Sequence, residues 1–200
     1  YAGQICIAVQ RIYVHQSVSG TFTEKLLHGV KRLRLGDPMN EATDVGPMIS
    51  RDAAVRTEAW VREAVHGGAT VLAGGERDGA FFQPTVLTHT KPGMKVCREE
   101  VFAPVVALEP YDEIEEVLGA INDSPYGLHA GLFTHDLRII QHAFESLDVG
   151  GLIVNDVPTY RADAMPYGGT KDSGIGREGV RYAIQELTET RVLVLNSMAP

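Results

Sequence analysis

Cysteine is scarce in this chain. Cys6 and Cys97 are the only two among 200 residues. That is too few to staple a small scaffold, and it points to a reducing cytoplasm rather than to secretion. The sequence leaves a disulfide between the two open. Positive charge is also short: 18 Lys and Arg stand against 26 Asp and Glu, for a formal net charge of −8. Phosphate backbones require the opposite balance, so no nucleic-acid partner is expected. The one basic cluster, Lys31, Arg32 and Arg34, falls at the end of an expected helix. There it reads as a solvated, dipole-complementing terminus, with a binding patch as the alternative. No apolar run approaches the roughly 18 residues of a membrane span. No charged segment followed by an apolar stretch opens the chain, so neither a membrane nor a signal peptide is expected. There is no internal repeat and no low-complexity tract. The first residue is Tyr rather than Met, which suggests a processed chain or a piece of a longer one.

What is present is ordinary for a globular protein: 44% hydrophobic and 22% charged residues. A chain of this length buries roughly 70% of its unfolded surface, as one large domain or two small ones. Apolar, β-branched runs alternate with amphipathic stretches. Ile7 to Val14 reads as a helical turn running into a strand, with Arg11 to His15 as the strand itself. Helices are expected from about Ser19 to Leu33, from Ser50 (as N-cap) to His66, from a cap at Asp112 through Ala120, and from Asp136 to Leu147. Strands are expected at Ala69–Leu72, Phe81–Leu87, Val101–Leu108, Gly131–Thr134, Gly151–Asn155 and Arg191–Leu195. Such alternation indicates an α/β fold, a parallel sheet with helices on both faces.

In such sheets ligands sit at the carboxyl ends of strands. Asn155 and Asp156 are therefore candidate site residues; the structural alternative for Asn155 is a side chain closing a turn. The long glycine-rich connection from Val157 to Gly179 is of the kind that is usually functional. Its Gly-x-Gly pattern follows no Rossmann fingerprint and no P-loop.

Cys6 lies in Gly3-Gln4-Ile5-Cys6-Ile7-Ala8. A thiol just before a helix, or in its first turn, sits in the field of unpaired N–H groups, which favours the thiolate. The alternative is a small buried hydrophobe.

Three motifs in order bear a resemblance to the aldehyde dehydrogenase superfamily, over essentially the whole chain. Gly3-Gln4-Ile5-Cys6 is similar to its nucleophile motif. Glu99-Glu100-Val101-Phe102-Ala103-Pro104 resembles its Glu-Glu-x-Phe-Gly-Pro segment, with Ala103 in place of glycine. Pro166-Tyr167-Gly168-Gly169-Thr170-Lys171-Asp172-Ser173-Gly174-Ile175-Gly176 resembles its Pro-Phe-Gly-Gly-x-Lys-x-Ser-Gly-x-Gly motif, with Tyr167 for phenylalanine. Gly74-Gly75 and Pro84-Thr85-Val86-Leu87 match further landmarks.

The resemblance implies a partial catalytic domain over residues 1–187 and an oligomerisation strand and tail over 188–200. It implies NAD(P)-dependent oxidation of a small-molecule aldehyde to an acid, with Cys6 as nucleophile passing through a thiohemiacetal and a thioester. Glu100 would hold the nicotinamide ribose of NAD or NADP, and Phe102 would pack near its ring. Tyr167 would line the substrate tunnel. Gly168, Gly169, Gly174 and Gly176 would shape the backbone. Arg161 is a candidate partner for a carboxylate or phosphate on the aldehyde, against a local salt bridge to Asp163 or another acid. No metal site is expected. The unpaired terminal strand, Glu189 to Asn196, implies a homo-oligomer, a dimer or tetramer. The family's cofactor domain, its glutamate base and its oxyanion-binding asparagine fall upstream of the matched motifs, so these 200 residues are expected to be inactive alone. The rival readings are a cysteine acyl transferase or hydrolase pairing Cys6 with His15 or another histidine, and a non-catalytic assembly module.

Overall fold

The computed structural model describes residues 1–196. Its centre is a four-stranded sheet in the order β1-β6-β5-β2. Here β1 is Arg11–His15, β2 Thr70–Ala73, β5 Thr85–Thr88 and β6 Val105–Tyr111. Strands β1, β6 and β5 run parallel, whereas β2 pairs antiparallel with β5 across a register slip between Val71 and Ala73. The sheet is thus mixed, though mostly parallel.

Side chains alternate across a strand, and the two core clusters follow that alternation. Val86 and Leu108 point to one face with Val14, against Leu26, Leu27 and Val30 of α1 (Gln16–Val30). Leu87 and Val105 point to the other, against Ala54, Val61 and Ala64 of α2 (Arg51–His66). Helices on both faces are therefore a direct consequence of near-continuous apolar strands. Full burial of a side chain such as Leu87 contributes about 1.5–3 kcal/mol. Thr57, buried within α2, satisfies its hydroxyl by donating to the Ala53 carbonyl at 2.9 Å.

The remaining elements are short. A hairpin joins β3 (Arg77–Asp78) to β4 (Phe81–Phe82), and α3 (Lys95–Arg98) packs under α2. Helix α4 (Ile114–Asn122) precedes β7 (Tyr126–Gly127), and a parallel pair β8 (His129–Leu132) and β9 (Gly151–Val154) is linked through α5 (Leu137–Ser146). Strand β10 (Thr170–Lys171) pairs with β7, and α6 (Val180–Glu186) ends the regular structure.

Several boundaries differ from expectation for identifiable reasons. Helix α1 starts at Gln16 because the His15 ring caps it, accepting from the Ser17 N–H at 3.3 Å. It ends at Val30, so the basic cluster lies just past its C-terminus. Strand β6 begins at Val105 rather than Val101, because the chain turns at Phe102, whose φ is +50°. It runs on to Tyr111, which moves the N-cap of α4 to Glu113 and leaves Asp112 outside it. Ser50 caps α2 as expected, accepting from the Ala53 amide at 3.0 Å, and Asp136, expected as the first residue of α5, is its N-cap, accepting from the Arg138 amide at 2.8 Å. The expected strand from Glu189 to Asn196 takes no regular structure here, and Val192 to Leu195 are exposed. Strand amides need a partner edge, and no described strand of this chain pairs with them. Residues 197–200 of the expected tail lie outside the described residues.

Candidate active site

Cys6 sits in the second of two tight turns, in which Tyr1 accepts from the Gln4 amide and Ile5 from the Ala8 amide, each at 2.9 Å. No helix follows it, since the first helix begins beyond β1. The helix-field argument for its thiolate therefore does not apply. The residues around it are explained by anchoring. The Gln4 side chain accepts from the Ile49 amide at 2.7 Å and donates to the Pro47 carbonyl at 3.3 Å. Gly3 has φ +69°, and a Cβ there would lie 2.1 Å from the Ala103 carbonyl oxygen. Only glycine lets these two backbones approach so closely.

That approach brings the second motif to the first. Cys6, Glu100 and Phe102 line one cavity of about 40 Å³, together with Gln10 and Val105. Phe102 holds a left-handed φ that costs a non-glycine residue about 1–3 kcal/mol, and the residue is 39% exposed. The conformation is enforced by its neighbours. Val101 and Ala103 are both buried. The Val101 amide donates to Gln10 Oε1 at 3.0 Å, and its carbonyl accepts from Arg56 at 2.7 Å. Gln10 also donates to the Val96 and Glu99 carbonyls at 3.1 and 2.7 Å. Sequence reasoning missed Gln10, whose work is done by tertiary hydrogen bonds. Glu100 is exposed and belongs to none of the ion pairs among the described residues. An unpaired carboxylate beside an exposed aromatic suits a ribose and its attached planar ring, so these residues fit a nicotinamide cofactor. Among the described residues, the Cys6 N–H donates to no backbone carbonyl.

The third motif reaches the same sulfur. The Tyr167 hydroxyl lies 2.8 Å from Cys6 Sγ. Tyr167 is 5% exposed, and its backbone exchanges hydrogen bonds with Glu178 at 3.2 and 2.6 Å. The Arg161 guanidinium lies 4.2 Å over the ring and donates to Glu178 at 2.8 Å. Of the acids considered for Arg161, the partner is thus Glu178 and not the adjacent Asp163. The His129 ring meets Tyr167 edge-on at 5.2 Å. Its Nδ1 contacts the Pro158 carbonyl at 3.0 Å, and its buried Nε2 has no partner. His129 and Glu178 were not singled out in the sequence, because nothing local links them to Tyr167. The glycines of this motif shape the backbone. A Cβ on Gly150 would lie 1.7 Å from the Gly168 carbonyl oxygen, so this loop too packs backbone against backbone.

The Tyr167 phenol is pushed above its ordinary range, first by burial and then by its contact with Cys6, and it stays protonated. Cys97 is half-buried, and burial pushes its thiol up, against a smaller opposing hydrogen bond from Thr90. Cys6 is exposed, and both cysteines are free, so no disulfide joins them. Asn155 closes a turn, with φ +58° and Oδ1 accepting from the Thr134 amide at 3.0 Å. It is not brought to Cys6. His15 is occupied in capping α1, and among the described residues no histidine hydrogen-bonds Cys6. No described helix is long and apolar enough to cross a membrane. Among the described residues no group of three His, Cys, Asp or Glu side chains is placed to hold a metal ion.

The pattern described as "Aldehyde dehydrogenase family" matches residues 1–193. The chain is 56% identical over 195 residues to 3-sulfolactaldehyde dehydrogenase of Priestia aryabhattai, covering 98% of this chain and 41% of that protein. Among solved structures, aldehyde dehydrogenase 21 of Physcomitrella patens, in complex with the reaction product succinate, superposes with TM-score 0.95 at 47% identity, over 97% of this chain and 40% of that one. Glyceraldehyde-3-phosphate dehydrogenase GapN of Methanocaldococcus jannaschii, complexed with NADP, gives TM-score 0.90 at 42% identity, over 93% and 40%. The NAD+ complex of an aldehyde dehydrogenase from Bacillus cereus gives 0.92 at 36%, over 98% and 40%. The chain spans about two-fifths of the length of the relatives it matches.

Proposed function

The chain belongs to the aldehyde dehydrogenase family, and from that premise we propose that Cys6 is the nucleophile of an enzyme that oxidises a short aldehyde carrying an anionic group. The observation that carries the reading is the cavity that Cys6 shares with Glu100 and Phe102. The Cys6 thiolate adds to the aldehyde carbon, and the carbonyl π pair moves to oxygen. The Cys6 N–H, aimed at no other backbone acceptor, is free to donate to that oxyanion. The family's cofactors are NAD and NADP, and when bound they take up a hydride with its electron pair. Glu100 would hold the ribose hydroxyls of the bound cofactor, and Phe102 would pack by its nicotinamide ring. Loss of hydride leaves Cys6 as a thioester. Water then adds, the sulfur departs as thiolate and the acid is released. The glutamate base and asparagine donor that the resemblance implies are not among these residues. The 200-residue chain by itself therefore gives no turnover.

The anionic group follows from Arg161. Its fork keeps donors beyond the one given to Glu178, and it lies over the ring of the residue that touches Cys6. Relatives named for sulfolactaldehyde and solved with succinate support a charged substrate. Assembly as a dimer or tetramer is proposed for the exposed segment Val192 to Leu195, which joins a neighbouring subunit's sheet.

The test is made in the full-length protein. Cys6→Ala abolishes aldehyde-dependent NAD or NADP reduction, and Cys97→Ala leaves most of it. Iodoacetamide modifies Cys6 faster than Cys97. Turnover surviving Cys6→Ala overturns the reading. Arg161→Gln lowers kcat/KM for succinic semialdehyde by about ten- to hundredfold, the worth of a charge-assisted bond, and leaves butanal nearly unchanged. An unaltered ratio removes Arg161 from the substrate site.

A further inference from the structure

The resemblance provides a phenylalanine where this chain has Tyr167, so the family pattern gives the hydroxyl no role. In this structure that hydroxyl is the one side-chain group among the described residues that hydrogen-bonds Cys6 Sγ, at 2.8 Å. We propose that the Tyr167 hydroxyl is a catalytic group that donates a hydrogen bond to the Cys6 thiolate, keeping the sulfur ionised and aimed before an aldehyde arrives. The inference rests on the reading of Cys6 as nucleophile.

Three observations support it. The sulfur lacks two usual aids to ionisation: it does not begin a helix, and among the described residues no histidine is bonded to it. The phenol is held in place from every side. Its backbone is paired in both directions with Glu178, the Arg161 guanidinium covers one face at 4.2 Å, and the His129 ring abuts it at 5.2 Å. The hydroxyl therefore meets the sulfur without first having to be ordered. With the sulfur as thiolate the polarity of the contact is also set: burial keeps the phenol protonated and a thiolate has no proton to give, so oxygen donates and sulfur accepts. The charged and titratable groups facing this pair are Arg161, Glu178 and His129 around the ring, and Glu100 across the cavity from the sulfur. The Pro158 carbonyl can only accept, so His129 Nδ1 carries a proton toward it, and the buried Nε2 has no partner.

A donor to a thiolate has two opposed effects. It raises the ionised fraction, and it lowers the nucleophilicity of each thiolate, with a Brønsted slope of about 0.4–0.5. For a bond that shifts ionisation by about tenfold (about 1.4 kcal/mol), removal leaves about a tenth of the thiolate at neutral pH, each about threefold more reactive. The two effects cross over with pH.

The experiment uses Tyr167→Phe in the full-length enzyme. Iodoacetamide labelling of Cys6 is followed by mass spectrometry from pH 6 to 10, without aldehyde or cofactor, alongside kcat/KM. Labelling is expected to be about threefold slower at pH 7 and about threefold faster on the alkaline plateau. An unchanged profile overturns the proposal. A uniform fall at every pH also overturns it, since that marks a packing role. The labelling rate of Cys97 and the unfolding midpoint report on the fold. Substituting 3-fluorotyrosine at position 167 keeps the hydroxyl and makes it a stronger donor, so the profile moves in the opposite direction; movement in the same direction as Tyr167→Phe counts against the bond. Loss of turnover in Cys6→Ala with no pH effect in Tyr167→Phe sinks this inference alone. Turnover retained in Cys6→Ala sinks the reading beneath it.

Discussion

Replacing Gly3 by alanine tests whether the two motif loops must touch. The added Cβ would stand 2.1 Å from the Ala103 carbonyl oxygen, and the loops must part by about 0.9 Å to reach the 3.0 Å below which Cβ contacts essentially never occur. Neither side yields as a flexible side chain would. The obstacle is backbone, Ala103 is buried, and Val101 is pinned through Gln10 and Arg56. The φ of +69° at Gly3 adds about 1–2 kcal/mol for an L side chain. Cys6 lies three residues from Gly3, and Glu100 three from Ala103, so the displacement falls between the proposed nucleophile and the proposed cofactor residue. A misplacement of about 1 Å costs about a hundredfold in rate. Gly3→Ala in the full-length enzyme is therefore expected to lower kcat/KM about a hundredfold, with about 1–2 kcal/mol lost in denaturant unfolding. Gly20→Ala is the control. It lies within α1 with nothing inside 4 Å of its Cβ, and it should stabilise by about 0.5–1 kcal/mol without touching activity. Gly3→Ala activity within about threefold of the parent would refute the reasoning, because so small a change means that the loops part freely.

Leu87→Ala empties a fully buried position between β5 and α2 and should cost about 2–5 kcal/mol in urea unfolding; less than about 1 kcal/mol would mean that the core collapses onto the gap. Gln10→Leu removes the bonds that fix Val101 and Glu99, so KM for the cofactor should rise much more than KM for the aldehyde. Equal changes in the two would deny Gln10 its positioning role. Asp136 caps α5 while its carboxyl is held down to about 2, by Arg138 foremost. A folded pKa below the unfolded value of about 3.9 means that its contribution is complete above that pH and fades as pH falls toward about 2. Asp136→Asn keeps the cap without the titration, so acid unfolding followed by circular dichroism should lose sensitivity in that window; superimposable transitions would contradict this.

Much of the architecture was legible from local signals. Ser50 and Asp136 announced their helices, since a side-chain oxygen beside the first unpaired amides is a local device. The apolar runs of β5 and β6 announced strands covered on both faces, because a strand with no polar side has nowhere to face water. The antiparallel placement of β2 was not legible, because Thr70–Ala73 carries the same residue types whichever way it pairs. Nor was the end of the chain: Val192 to Leu195 have strand composition, but a strand also requires an edge to bind.

At the site, sequence alone determined which chemistry was available. It supplied a cysteine after Gly-Gln, a carboxylate and an aromatic two residues apart, and an aromatic at the head of a glycine-rich loop. Only the tertiary structure decided how these act together. Residues 3 and 103 meet because a missing Cβ lets two backbones approach. Gln10 spans from the foot of β1 to the Glu99–Val101 turn. Cys6 and Tyr167 lie 161 residues apart in the chain and 2.8 Å apart in space. A residue's type and its nearest neighbours are written along the chain. Which hydroxyl faces which sulfur depends on the packing of loops from both ends of the fold, and no local pattern encodes that.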